Sequence, residues 1–274
     1  MSDTQTDGIK PTKKYELTGE TRDYRRLAVV HRIRALKDFT LHDGTPVKAG
    51  ELGGWIEKEG WNLSQRGTAW VKDDAVVYEK AQVFDSAVVS GNAEVYGTAG
   101  IQEFATVSGF SIVGNCAEVS GSAKVTGNAR VLDGAMVGGD ALVDEMSEIF
   151  DCAIVCGNAH IGGHASIRSS AKVYDKAVVS GNTTIYTSVT IGGSAEIRDE
   201  HDYIVIKSWM DHSWLMFTRS DRMWSWGRFR GTGEELVKIA SKDTAEALAC
   251  VKAIVGIEDS LVKAQDAYSR ASKE

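Results

Sequence analysis

The chain has 274 residues with 31 basic and 38 acidic side chains, a net charge of −7, a balance that excludes a general polyanion binder because phosphate neutralisation needs a surplus of Lys and Arg. Its 43% apolar content can bury a core, but no apolar run approaches the roughly 20 residues of a membrane span. Four scattered cysteines (Cys116, Cys152, Cys156 and Cys250) make no disulfide framework, and the polar N-terminus lacks the layout of a signal peptide, so a cytoplasmic protein with reduced thiols is expected.

In chain order, residues 1–13 are polar and read as a disordered tail. Residues 14–68 read as an N-terminal β cap, with a strand-like stretch at 26–35, a turn at 42–45 and a second stretch at 47–56. Leu63 sits one hexad before Ala69, so the coil can begin there. From Ala69 to Glu200 the sequence parses into 22 six-residue units without insertion. Position 1 is Ala in 18 of them, position 3 is Val or Ile in all, and positions 5 and 6 are mostly Gly, Asp, Asn or Ser. Such turn formers at fixed spacing mark corners, and the aliphatic at position 3 fills an interior. Period-two alternation turns positions 2 and 4 outward. Three sides close one coil of 18 residues, which predicts a left-handed parallel β-helix over 69–206, about 35 Å long. A helical alternative fails, because period six does not superpose on 3.6 and glycine corners would break it.

Stacking residues at 18-residue intervals sorts the surface into columns. One carries an aromatic and apolar ladder of Tyr78, Tyr96, Leu132, Phe150 and Tyr186. A contiguous apolar strip marks an interface, so this is where copies of the chain are expected to meet, the alternative being cover by the chain's own C-terminal segment. The same sorting leaves Cys116 and Cys152 two coils apart, roughly 9.6 Å, too far for a disulfide.

All seven tryptophans (Trp55, Trp61, Trp70, Trp209, Trp214, Trp224 and Trp226) fall at the two ends of the hexad region, where open coils need capping against edge pairing. Residues 207–274 read as a C-terminal hairpin and helices. Strands over 213–219 and 222–229 flank Ser220 and Asp221. Thr232 to Glu235 fits a capping box opening a helix, and a second helix runs over about 244–255. In the hairpin Arg219, Arg222, Arg228 and Arg230 interleave with Trp224 and Trp226. Arginine among aromatics can stack on a base and hold a phosphate, which makes these six residues the ligand-binding candidates. The alternative is that the aromatics bury against the last coil and the arginines line its rim.

The segment with Val47, Gly53, Gly54, Trp55, then Asn62, Leu63, Ser64, Gln65, Gly67 and Trp70, followed by hexads, resembles the start of the YdcK-type hexapeptide-repeat proteins of enterobacteria. It is also similar to phage and prophage β-helix proteins, some of which carry an element like residues 227–235. The resemblance covers roughly residues 27–240. It implies the same fold, a cytoplasmic location and an acyltransferase-like label that rests on fold analogy. Hexapeptide acyltransferases bind coenzyme A between subunits and use a His as general base; here only His160 and His164 lie in the hexads, and His160, at an outward position 2, is the alternative catalytic candidate, with acetyl-CoA as its cofactor. The related γ-class carbonic anhydrases need three His on zinc with a different spacing, and the hexads hold no third His, so no metal is expected. The expectation is a non-catalytic phage-type binding protein, a homotrimer without cofactor that inhibits or sequesters a host protein or a nucleotide-like ligand. A coenzyme A-dependent acyltransferase is the alternative, and a structural spacer is a third reading.

Overall fold

A computed structural model of the chain describes residues 13–208, 213–242, 244–256, 258, 260 and 262–263. The predicted tail at 1–12 and the polar C-terminal residues from 264 lie outside these. Lys13, which the sequence reading placed in the tail, is held by an ion pair to Glu59 at 2.8 Å.

The chain is a parallel β-helix with a cap at each end. Strands β1 (Tyr15–Tyr24), β2 (Ala28–Ala35), β3 (Phe39–Thr40), β4 (Pro46–Val47) and β5 (Leu52–Ile56) come first. Twenty-two two-residue strands follow at six-residue intervals, from β6 (Trp70–Val71) to β27 (Glu196–Ile197). They stack into three faces with the 18-residue register the hexads predict: Val77, Val95 and Val113 lie directly over one another. The first face holds β7 (Val76–Val77) and every third strand after it, the second begins at β8 (Gln82–Val83), and the third begins at β6. Ala at position 1 and Val or Ile at position 3 are buried along the whole core.

The corners give some of the acidic residues a structural role. Amides at positions 2, 4 and 6 donate to carbonyls one coil on, as in Trp70 to Ala87, Lys72 to Val89 and Asp74 to Gly91, which leaves the position 5 amide outside the ladder. Position 5 takes the left-handed conformation, which favours Gly, Asn and Asp. Where it is acidic, its carboxylate accepts from the position 5 amide of the next coil, as Asp73 does from Gly91 and Asp151 from Ser169. Seven corners are tied this way, through Asp73, Glu79, Asp85, Glu103, Glu145, Asp151 and Asp175.

The solenoid begins earlier than Ala69. Strand β5 pairs in parallel with β7, Trp55 opposite Val76 and Ile56 opposite Val77, while Leu63 bridges Val83. Leu63 therefore occupies the interior position 3, not the small position 1 that a six-residue count back from Ala69 assigns it. The first coil is built from the motif residues. Gly53 and Gly54 leave room where an added Cβ would lie 2.7 Å from Trp70 Cζ2 and 2.6 Å from Val71 Cγ1, respectively. Buried Asn62 donates to the Ala81 carbonyl at 2.8 Å and accepts from the Lys58 amide at 2.6 Å.

Both ends are closed by groups of matching polarity. The amides at positions 2, 4 and 6, which donate one coil on, leave carbonyls without donors at the first coil and amides without acceptors at the last. At the first coil, Tyr15 Oη donates to Leu63 O at 2.6 Å and Lys14 Nζ to Ala69 O at 2.7 Å, while Tyr15 and Phe39 pack edge-on against Trp70 over the apolar interior. At the last, Ser220 Oγ accepts from the Glu196 amide and Asp202 Oδ2 from the Arg198 amide, each at 2.7 Å. The predicted C-terminal hairpin is present as β29 (Trp214–Thr218) and β30 (Met223–Trp226), within a four-stranded antiparallel sheet that adds β28 (Tyr203–Lys207) and β31 (Phe229–Gly231). Residues 203–206, which the sequence reading ran into the solenoid, belong to this sheet, because Tyr203 pairs with Thr218 and Ile206 with Leu215. One sheet face (Tyr203, Val205, Trp214, Met216) packs on the solenoid core. The other (Leu215, Phe217, Trp224) lies under helices α1 (Gly233–Ala240) and α2 (Ala245–Gly256). The capping box is formed, Thr232 with Glu235.

Candidate functional site

The apolar ladder on the first face is divided among three environments. Tyr78 is 2% exposed; the β1–β2 hairpin covers it, with the Tyr24 ring 5.4 Å away. Its hydroxyl donates to Glu94 Oε1 at 2.6 Å, and Arg25 pairs with the other carboxylate oxygen at 2.7 Å. Burial first, and the Glu94 carboxylate second, push the Tyr78 phenol well above its ordinary range. Tyr78 is thus taken up by the chain's own N-terminal hairpin, not its C-terminal segment and not a surface open to a partner. Tyr96 stacks on it at 5.7 Å and lies over Gly114, where an added Cβ would come within 2.3 Å of the ring. In the middle, Leu132 is buried and so offers no open surface to a partner, and the Phe150 ring lies between the Arg130 and Arg168 guanidinium groups at 5.6 and 4.8 Å. Glu148 bridges both arginines at 3.1 and 3.3 Å. At the far end Tyr186 is 67% exposed and stands beside the C-terminal sheet.

The six hairpin residues are not gathered on one open surface. Trp224 is fully buried, with its indole N–H donating to Glu258 Oε2 at 3.0 Å. Arg222 pairs with the same carboxylate at 3.1 Å. Arg230 is held by Asp221 and Ser225 and lies against Gly193 of the last coil. Trp226 is half-buried, its N–H donating to Ser213. Arg219 is half-buried at the end of β29, its amide donating to Asp202 O, and Arg228 is exposed at the following turn. The alternative, aromatics buried against the last coil with the arginines on its rim, is met only in part: Trp224 and Trp226 pack with the helices, and Arg230 is the arginine that lies against the last coil.

His160 has a partner that the columns did not show. Asp144 Oδ1 lies 2.9 Å from His160 Nε2, on the third face, and Gly162 beside them leaves the pair open: a Cβ there would sit 2.8 Å from the carboxylate. Position 4 of one coil meets position 2 of the next on a diagonal 16 residues long. The same diagonal joins Tyr78 to Glu94 and Gln102 to Glu118, so a 16-residue spacing of polar residues is the signal that finds these pairs. With Asp144 accepting from Nε2–H, Nδ1 carries the lone pair, the arrangement of an oriented general base. His164 stands exposed at a corner. All four cysteines are free thiols. Among the described residues no three His, Cys, Asp or Glu come together as a metal site, and no helix is long and apolar enough to cross a membrane.

The fold and its surface define a parallel β-solenoid with capped ends. Neither a known protein family nor a curated protein matches the chain.

Proposed function

We propose that the chain is a non-catalytic binding protein of the phage type its first-coil motifs resemble: a rigid homotrimeric prism in the cytoplasm that inhibits or sequesters a host factor, a defence protein or a nucleotide-like ligand. The observation that carries this reading is the unbroken wall. From β6 to β27 no loop leaves the prism to shape a reaction site, yet Phe104, Phe110 and Met146 stand more than half exposed at corners that are otherwise mostly polar. Phe110 and Met146 share one corner column two coils apart. Apolar side chains displayed on a rigid polar body serve contact with a partner, and such a role needs surface alone.

The test is capture from host lysate beside calorimetry with acetyl-CoA. The proposal expects a stoichiometric partner that is lost when Phe110→Asp and Met146→Asp are combined, with no heat and no acyl transfer from acetyl-CoA. Acyl transfer by the wild type would overturn it. The Asp144–His160 pair favours a second reading, a coenzyme A-dependent acyltransferase with His160 as base and Asp144 orienting it. That reading requires turnover which His160→Ala abolishes.

A further inference from the structure

The last rung of the first face, β25 (Thr184–Ile185), does not end in a flat cap. Between it and the edge strand β28 lies a cavity of about 120 Å³ lined by Ile185, Tyr186, Thr187, Tyr203, Val205 and Trp214. Three of its six walls are aromatic. Two of the rings are carried by residues tied to the solenoid backbone: Tyr203 Oη donates to Thr184 O at 3.2 Å, and Ser169 Oγ donates to the carbonyl of Tyr186 at 2.9 Å. The most exposed of them, Tyr186, is 67% exposed, and among the described residues no side chain fills the cavity.

The rim of this cavity carries a cation in a molecule of net charge −7, with the Glu200 carboxylate near its Tyr203 wall. Lys207 Nζ lies 5.6 Å from the Trp214 ring centroid, and among the described residues no carboxylate pairs with it. Arg168 stands one coil below Tyr186 in the same column, shared with Glu148. Rings that offer a π-face, with a cation at the rim, suit a flat aromatic anion: the ring stacks, and the anionic group meets the ammonium. A neutral sugar would use the rings and leave the cation idle.

We infer that the seam between the last coil and the C-terminal sheet is a binding site for a nucleoside monophosphate, its base between Tyr186 and Trp214 and its phosphate at Lys207. The inference rests on the reading of the chain as a binding protein, and it moves the ligand site from the hairpin arginines, two of which are committed to carboxylates, to the opposite edge of the same sheet.

Ligand-observed NMR and calorimetry with AMP, UMP, adenosine and cellobiose test it on the full chain. The expected result is saturable AMP or UMP binding with Kd of about 1 mM or tighter, the nucleotide recovered unchanged. Tyr186→Ala weakens it about five-fold or more, as loss of one stacking ring does. Lys207→Glu weakens AMP but not adenosine, and Lys124→Ala, exposed in the middle of the third face, changes nothing. Unaltered melting curves for these exposed substitutions separate lost binding from lost folding. No saturable binding of any nucleotide, equal binding of cellobiose, or AMP binding indifferent to both Tyr186→Ala and Lys207→Glu would each overturn the site. AMP bound there but consumed would leave the site standing and remove the non-catalytic reading.

Discussion

A lysine without exposed surface stands at the entrance of the solenoid. Burial, with Lys37 nearby as the smaller cause, lowers the Lys14 ammonium from 10.5 to about 7. Between those values the unfolded chain binds a proton that the folded chain does not. Stability therefore rises with pH through this window, by at most about 1.4 kcal/mol per pH unit, and the cost of charging the buried amine is fully present below it. Thermal melts between pH 7 and 8, below the ordinary pKa of thiols and phenols, should show the midpoint climbing in the wild type and flat in Lys14→Met; an equal slope in both would contradict the assignment. Little of this is legible in the sequence, where Lys14 reads as one polar residue near a polar tail. The interior residues are different: Val77, Val95 and Val113 follow from the hexads because each does the same job in the same place. Asp144 beside His160 falls between these cases, since the 16-residue diagonal is regular but invisible to a sorting made only by column.

The repeating element is readable because its period is strict, and the caps are not because theirs is absent. The hexads predict three faces and 18-residue coils, and both are found. The first coil departs from the period: Ile56 stacks on Val77 and Leu63 on Val83, so a count of six from Ala69 misplaces both. The motif around Gly53 and Gly54 records this irregular coil without revealing its geometry. A substitution pair tests that account. Gly54→Ala puts a methyl 2.6 Å from Val71 Cγ1 and 2.7 Å from the Ala75 carbonyl, and overpacking of this kind costs about 1–3 kcal/mol. Gly100→Ala, in a regular hexad with open space around it, should be neutral within about 0.5 kcal/mol. Urea midpoints measure both; equal midpoints for the two variants would show that the first coil is not packed as described. At the other end, the hairpin was visible from its alternation and turn, but its partners β28 and β31 were hidden, one behind the apparent continuation of the repeat and one in a three-residue strand.

At the scale of the whole molecule, the first face is claimed at both ends by the chain itself. The N-terminal hairpin covers Tyr78, and the C-terminal sheet adjoins Tyr186, leaving the half-buried Ile112 and Phe150 in the middle, with Leu132 buried, bordered by Arg130, Glu148 and Arg168. That middle is where the proposed homotrimer meets, and the rim charges, present in both signs, can pair between copies. The sequence showed the strip but not its division, because neither cap reveals from its own residues which face it covers. The mass in solution, by size-exclusion chromatography with light scattering, tests the assembly most directly. The account predicts three chains for the wild type and one for Ile112→Asp combined with Phe150→Asp, with the β-sheet signal unchanged. A wild type of single-chain mass, or a double variant that keeps three chains, would contradict it.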